Sequence, residues 1–245
     1  MPAHLPHHYP ESRFGGFTDL DGTLTFFTRV NALLTSTSVV LDVGCGRGEY
    51  LEDAVPIRRA TRTLRGKCAR VIGVDVDPIG KTNQALDEFR LLTLGERWPI
   101  DDSSTDLLLC DHILEHVAQP EQFFSECRRV IKPGGYICIR TPNRLNYIAL
   151  IAQIIPNKYH ARVLAKAQED RHEEDVFPTL YRCNTRGTLR RLLTTHGFTN
   201  VVYGYEAEPT YLSFSRICYA LGVLHQRLAP NACKAALFAF GQKHI

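Results

Sequence analysis

The 245-residue chain has no C-x-x-C pair, no internal repeat, no low-complexity tract and no uncharged stretch of 18 residues. Each absence removes a class of protein. The cysteines, scattered at 45, 68, 110, 127, 138, 183, 218 and 233, form neither a zinc spacing nor a small disulfide framework, so reduced thiols are expected. No apolar run has the length a bilayer demands, so no membrane span is expected. The opening MPAHLPHHYPESRF has neither a charged n-region nor an apolar h-region. It therefore gives no sign of a signal peptide, and a cytoplasmic protein is expected. Charge of one sign is missing too: 29 Lys+Arg against 26 Asp+Glu leave +3, which is no argument for nucleic acid.

What is there is the composition of a globular protein, 44% hydrophobic and 22% charged, with material for one sizeable α/β core. From Ser38 the chain alternates short apolar runs with helical patterns. VVLDVG (39–44), VIGVDVD (71–77), the leucines of 106–110 and YICIRT (136–141) lack polar alternation, as strands buried on both faces do. Over 120–131, Phe123, Phe124, Cys127, Val130 and Ile131 recur at helical spacing, opened by Pro120 and stopped by Lys132-Pro133-Gly134-Gly135. β-α-β-α alternation implies a doubly wound, parallel sheet with a ligand crevice at the strand C-termini. Further on, LRRLL (189–193) and Tyr211–Leu228 read as helix, and TNVVYGYE (199–206) and ALFAFGQK (236–243) as strands.

The strongest chemical signal is VLDVGCGRGEY, residues 40–50. A strand running into Gly44-x-Gly46-x-Gly48 leaves backbone N–H groups bare and admits a ligand closer than any Cβ permits. A dinucleotide pyrophosphate or the amino-acid end of S-adenosylmethionine would suit such a loop. A dinucleotide fingerprint needs a third glycine where Glu49 stands, and Asp42 is out of place beside a pyrophosphate but sensible near an ammonium. Asp75, ending VIGVD, is placed to accept both hydroxyls of a ribose.

With LDVGCGRG (41–48), GVDVDP (73–78), the segment 98–111, HILEHV (112–117) and RVIKPGGY (129–136) in this order, residues 38–141 resemble a class I S-adenosylmethionine-dependent methyltransferase. The style is that of the small-molecule group that includes quinone-biosynthesis enzymes. The resemblance implies a Rossmann-like, mostly parallel seven-stranded sheet in a single domain. Residues 1–37 would form an N-terminal extension and 38–141 the cofactor-binding core. Residues 142–184 would be a helical, acceptor-side insertion after the fifth strand, and 185–245 the closing helices and strands. It also implies S-adenosyl-L-methionine held by Asp42, Gly44, Cys45, Gly46 and Gly48 at its methionine end. Asp75 and Val76 would hold the ribose, Gly95 and Glu96 the adenine side, and the main chain of Cys110 and Asp111 the methionine. The family often carries an acid where Leu94 stands.

Methyl transfer from a sulfonium draws much of its catalysis from positioning, and a hydroxyl acceptor also needs its proton removed. His112, following the fourth strand, is the candidate base, with a histidine that caps or packs as the plain alternative. Asn143, Arg144, His172, Tyr181 and Arg182 are the polar candidates on the acceptor side, which suits a small-molecule or glycan acceptor. A non-catalytic adenosylmethionine-binding protein and a nicotinamide-dependent reductase are readings from other classes.

Three further motifs compete with plainer explanations. DLDGT (19–23) matches a phosphatase nucleophile motif but lacks an apolar strand before it, so a turn or helix start is expected. His112-x-x-Glu115-His116 spells an inverted zincin pattern, yet no third ligand is evident and no metal is expected. Arg58, Arg59, Arg62, Arg65, Lys67 and Arg70 form a basic run that reads as a solvated helix face, or as an RNA-binding surface in an RNA methyltransferase.

Overall fold

The computed structural model describes residues 5–146 and 178–245. A helical turn, α1 (Leu5–His8), precedes α2 (Gly22–Ala32), where Asp21 caps the first turn by accepting the Leu24 N–H at 2.9 Å. Then come β1 (Val39–Val43), α3 (Pro56–Arg62), β2 (Arg70–Asp75), β3 (Glu88–Leu91), β4 (Thr105–Asp111), α4 (Pro120–Val130) and β5 (Ile131–Pro142). Beyond residue 178 lie α5 (Arg186–Thr195), β6 (Phe198–Tyr205), α6 (Arg216–Leu228) and β7 (Ala236–Lys243).

The seven strands of the described residues form one sheet in the order β3-β2-β1-β4-β5-β7-β6. All pairings are parallel except those of β7, which runs antiparallel to both β5 and β6. This is the Rossmann-like, mostly parallel architecture expected. The order reverses between β1 and β4, so the two loops leaving these strands diverge and open a crevice at their C-terminal ends.

The apolar runs work because every second side chain points to opposite faces. Leu41 and Val43 of β1, with Leu108 and Cys110 of β4, face Phe124 and Val130 of α4 and Leu189, Leu192 and Leu193 of α5. Val40, Leu107 and Leu109 face the other way, toward Phe26, Phe27 and Val30 of α2. The N-terminal extension, with Leu64 and Leu86, thus builds one side of the core. A third, smaller cluster joins Leu5 and Tyr9 to Tyr219 and Val223 of α6.

Residues 142–146 and 178–184 of the expected insertion are described; its helical character over 147–177, and His172 with it, lies outside the described residues. The eight cysteines are free, as expected. Among the described residues no helix is long and apolar enough to cross a membrane.

Candidate cofactor and active site

A cavity of about 870 Å³ opens at the crevice. The glycine loop, the end of β2, residues 92–96 and the segment after β4 line it. Gly44, Gly46 and Gly48 all adopt left-handed backbone (φ +68°, +50° and +80°). A Cβ at Gly44 would lie 1.8 Å from the Ile113 side chain, whereas one at Gly46 would meet nothing within 4 Å. Gly46 is therefore the open floor of the site, and Gly44 lets the segment after β4 close over the loop.

The loop's amides are not bare, contrary to the sequence expectation. Gly44 N–H donates to Val74 O at 2.7 Å and Cys45 N–H to the same oxygen at 3.3 Å. Gly46 N–H donates to Asp75 Oδ2 at 2.9 Å. Parallel pairing of β1 with β2 brings the end of β2 within reach, and these donors are consumed there. From the other side Asn83 donates to Cys45 O at 2.9 Å and Gly46 O at 3.2 Å. Nothing local in the sequence marks Asn83, because its partners lie 38 and 37 residues away. With these three amides occupied, residues 44–46 offer no anion nest.

The cavity wall carries seven carboxylates, Asp42, Glu49, Asp75, Asp77, Glu96, Asp111 and Glu126, against two arginines, Arg47 and Arg62. Such a wall fits a cation and repels a pyrophosphate. Burial, together with the negative charge of Asp111, pushes the Asp42 carboxyl up to about 7. The Arg62 guanidinium opposes this shift without cancelling it. Asp75 accepts Gly46 N–H and, at 3.0 Å, Asp77 N–H, which fixes its carboxylate at the wall.

Asp111 behaves differently from Asp42. Burial would raise its carboxyl, but the Arg140 guanidinium, then His112 and Arg62, hold it well below the usual carboxylate range. Arg140 donates to both of its oxygens, at 2.6 and 2.7 Å, and Arg62 Nη2 adds a third bond at 3.0 Å. The Arg62 guanidinium also lies 4.4 Å from the centroid of the Tyr50 ring. Sequence reasoning missed this cluster. Its one visible trace was Arg140, a charge inside the apolar strand YICIRT, which a buried partner had to neutralise.

His112 leaves β4 in left-handed backbone, φ +60°, tied by its N–H to Arg140 O at 2.8 Å. Non-glycine residues occupy this region infrequently, and such strain gathers at functional sites. Its half-exposed ring faces the cavity with Nδ1 3.6 Å from Glu115 Oε1 and Nε2 3.8 Å from Asp111 Oδ1. Glu115 is buried and accepts Thr141 Oγ1–H at 3.0 Å. His116 Nδ1 lies 3.0 Å from Pro178 O. No group of three or more His, Cys, Asp or Glu among the described residues is arranged to hold a metal.

Several expected site residues lie elsewhere. Cys110, expected through its main chain, is fully buried and is not part of the cavity wall, which Asp111 reaches instead. Asn143 is buried too, its amide committed to Ala232 O and Lys234 O at 2.8 Å each. Arg144 N–H donates to Asn184 O and the Arg182 guanidinium to Ala118 O, so these residues fasten the ends of the insertion. Neither they nor Tyr181 reach the wall, where Pro178, Leu180 and Gln122 stand instead. Asp42, Gly44, Cys45, Gly46, Gly48, Asp75, Val76, Gly95, Glu96, Asp111 and His112 do line it.

The other motifs resolve into structural pairs. Asp21 of DLDGT caps α2 and pairs with Arg58 at 3.0 Å, so it is a helix start. The basic run is no continuous helix face, since α3 ends at Arg62. Arg58 binds Asp53, Arg59 the Asp53 carbonyl, Arg65 Asp87, Lys67 Asn31 and Arg70 Glu88.

The order of the sheet, the glycine loop and the acid-lined crevice are those of the class I S-adenosylmethionine-dependent methyltransferase fold, which the chain resembles. Residues 41–139 match the family described as a methyltransferase domain. A ubiquinone biosynthesis O-methyltransferase of Dechloromonas aromatica is 31% identical over 131 residues, covering 54% of this chain and 55% of that protein. One from Paracidovorax citrulli is 34% identical over 161 residues, covering 64% and 65%. The chain thus spans little more than half to two-thirds of these relatives' own lengths. Among solved structures, a SAM-dependent methyltransferase from Archaeoglobus fulgidus superposes with a TM-score of 0.54 at 21% identity, covering 95% of this chain and 97% of that one, a likeness of fold.

Proposed function

We propose that the chain transfers a methyl group from S-adenosyl-L-methionine to a hydroxyl of a small-molecule or glycan acceptor. The observation that carries this reading is the acid-rich wall at the open glycine floor, on which Asp42 stands beside Asp75 and Asp111. In it Asp42 faces the cofactor's positively charged methionine end, Asp75 accepts the ribose hydroxyls, and Gly95 and Glu96 flank the adenine. Bound there, the cofactor supplies a methyl group activated by its own sulfonium charge. The protein's part is then to hold the acceptor in line and exclude water. His112 stands at the cavity with its ring between two carboxylates and is the group to take the acceptor's proton. The named relatives are O-methyltransferases acting in quinone biosynthesis, which supports a hydroxyl on a small organic molecule.

An RNA acceptor is disfavoured because the cations of 58–70 are spent on partners within the chain. The test is a labelled-methyl screen over small-molecule, glycan, protein and RNA pools, beside thermal shift with adenosylmethionine, adenosylhomocysteine and NAD. Label is expected in the small-molecule or glycan pool, and stabilisation by the first two ligands. Label confined to RNA, or stabilisation by NAD alone, refutes the proposal. Binding without transfer to any pool would leave a cofactor-binding protein.

A further inference from the structure

We propose that the outward face of α6 docks the protein on an anionic lipid surface. The helix is held to the body by one side, where Tyr219 and Val223 are buried against Leu5 and Tyr9. On the opposite side Ile217, Leu221, Leu224 and Leu228 are 74%, 60%, 53% and 72% exposed. At about 100° per residue these four positions fall within roughly a sixth of the helix circumference, a continuous aliphatic stripe. Phe214, 54% exposed, lies just ahead of the helix. Scattered exposed leucines need no explanation, but an aligned row of four does.

The charge beside the stripe selects the occupant. Arg216 and Arg227 are exposed and sit about three turns apart on one flank of it. Neither forms an ion pair among the described residues. No Asp or Glu occurs anywhere from 209 to 245. A second copy of the helix would set Arg216 against Arg216, or against Arg227, with no acid to relieve the repulsion. A nucleic acid would meet the arginines and could stack a base on Phe214, but it would leave the four aliphatic side chains in water. An anionic bilayer offers both halves of the match, hydrocarbon for the stripe and phosphate for the guanidiniums.

Position gives the docking a use. β6 runs parallel to β5, both being antiparallel to β7, so α6 leaves the sheet at the end where the cavity opens. The connection after α6 is tied to that end by Asn143, which binds Ala232 O and Lys234 O. A protein resting on α6 keeps the mouth of its site beside the membrane, within reach of an acceptor dissolved there.

The full chain is mixed with phosphatidylcholine vesicles, with or without phosphatidylglycerol, and vesicle-bound protein is recovered by flotation. Binding is expected to the anionic vesicles only and to weaken as salt rises. Arg216→Gln and Arg227→Gln should each weaken it about fivefold. Leu221→Glu with Leu224→Glu should abolish it while the melting shift caused by adenosylhomocysteine is unchanged, which shows that the variant is folded and its site intact. Equal recovery on neutral and anionic vesicles, no recovery of the wild type, or a dimer in solution that the two glutamates dissociate would overturn the proposal. A labelled-methyl screen that fails while flotation succeeds would count against the proposed transfer and leave the docking standing.

Discussion

Asp42 lets the cofactor proposal be tested by a proton. Its carboxyl is pushed up to about 7 by burial and by Asp111, so at pH 5.5 only about one molecule in thirty carries the charge the cofactor's cationic end requires. At pH 7.5 about three-quarters carry it. Affinity for adenosylmethionine should therefore rise about twentyfold between these values, tending to tenfold per pH unit at the acid end. Titration calorimetry in two buffers of different ionisation enthalpy should also detect proton release on binding near pH 6. In Asp42→Asn both the slope and the released proton should vanish, with affinity near or below the wild type's acid limit. The folded protein responds with the opposite sign. A carboxyl that ionises higher when folded than its ordinary 3.8 withdraws stability as pH rises from about 4 to about 7. Asp42→Asn should thus melt higher than wild type at pH 7.5 without ligand, and no higher near pH 4. A flat wild-type affinity from pH 5.5 to 7.5, or a slope that persists in Asp42→Asn, would refute the reasoning.

Other perturbations test the remaining groups. Asp75→Ala removes the acceptor of the Gly46 and Asp77 amides as well as the proposed ribose partner; thermal shift should show at least tenfold weaker adenosylhomocysteine binding and about 1–3 kcal/mol less stability. His112→Ala should lower turnover about 10²- to 10⁴-fold with the cofactor Kd unchanged; unchanged turnover on an identified acceptor removes His112 from the chemistry. Asp111→Ala strands Arg140 and Arg62 without their shared counter-charge and should cost about 3–5 kcal/mol in denaturant unfolding. A loss under 1 kcal/mol would mean that water solvates the two guanidiniums.

Of the strands buried on both faces, β1, β2, β4 and β7 coincide with their apolar runs to within a residue or two, whereas β5 begins at Ile131 and takes in the Lys132–Gly135 stretch read as a helix stop. β3 was not legible, because EFRL is a four-residue edge strand, half-exposed and charged at alternate positions. DLDGT reads as a turn or helix start, but the extent of α2 was not legible, although Asp21 followed by Phe26, Phe27 and Val30 is a cap leading an apolar stripe. Within the site, backbone-determined parts were readable, since glycines at a strand end and an acid at the next report local geometry. The Asp111–Arg140–Arg62 cluster and the Asn83 staple were not, because their partners meet only once the sheet is assembled. Four of the acceptor-side candidates, Asn143, Arg144, Tyr181 and Arg182, stand away from the wall for a related reason. Polar residues near the end of β5 suggested a binding wall, yet the Asn143 amide and the Arg144 backbone N–H fasten the chain instead.

The glycine loop has one more consequence. Its amides already rest on β2 and its carbonyls on Asn83 before any ligand arrives. Residues 44–46 do not have to be frozen on binding, so the entropy that ordering them would consume stays available as affinity. Such a rigid socket should show the same amide-exchange protection over 44–46 with and without cofactor, and should take its ligand up in a single kinetic phase.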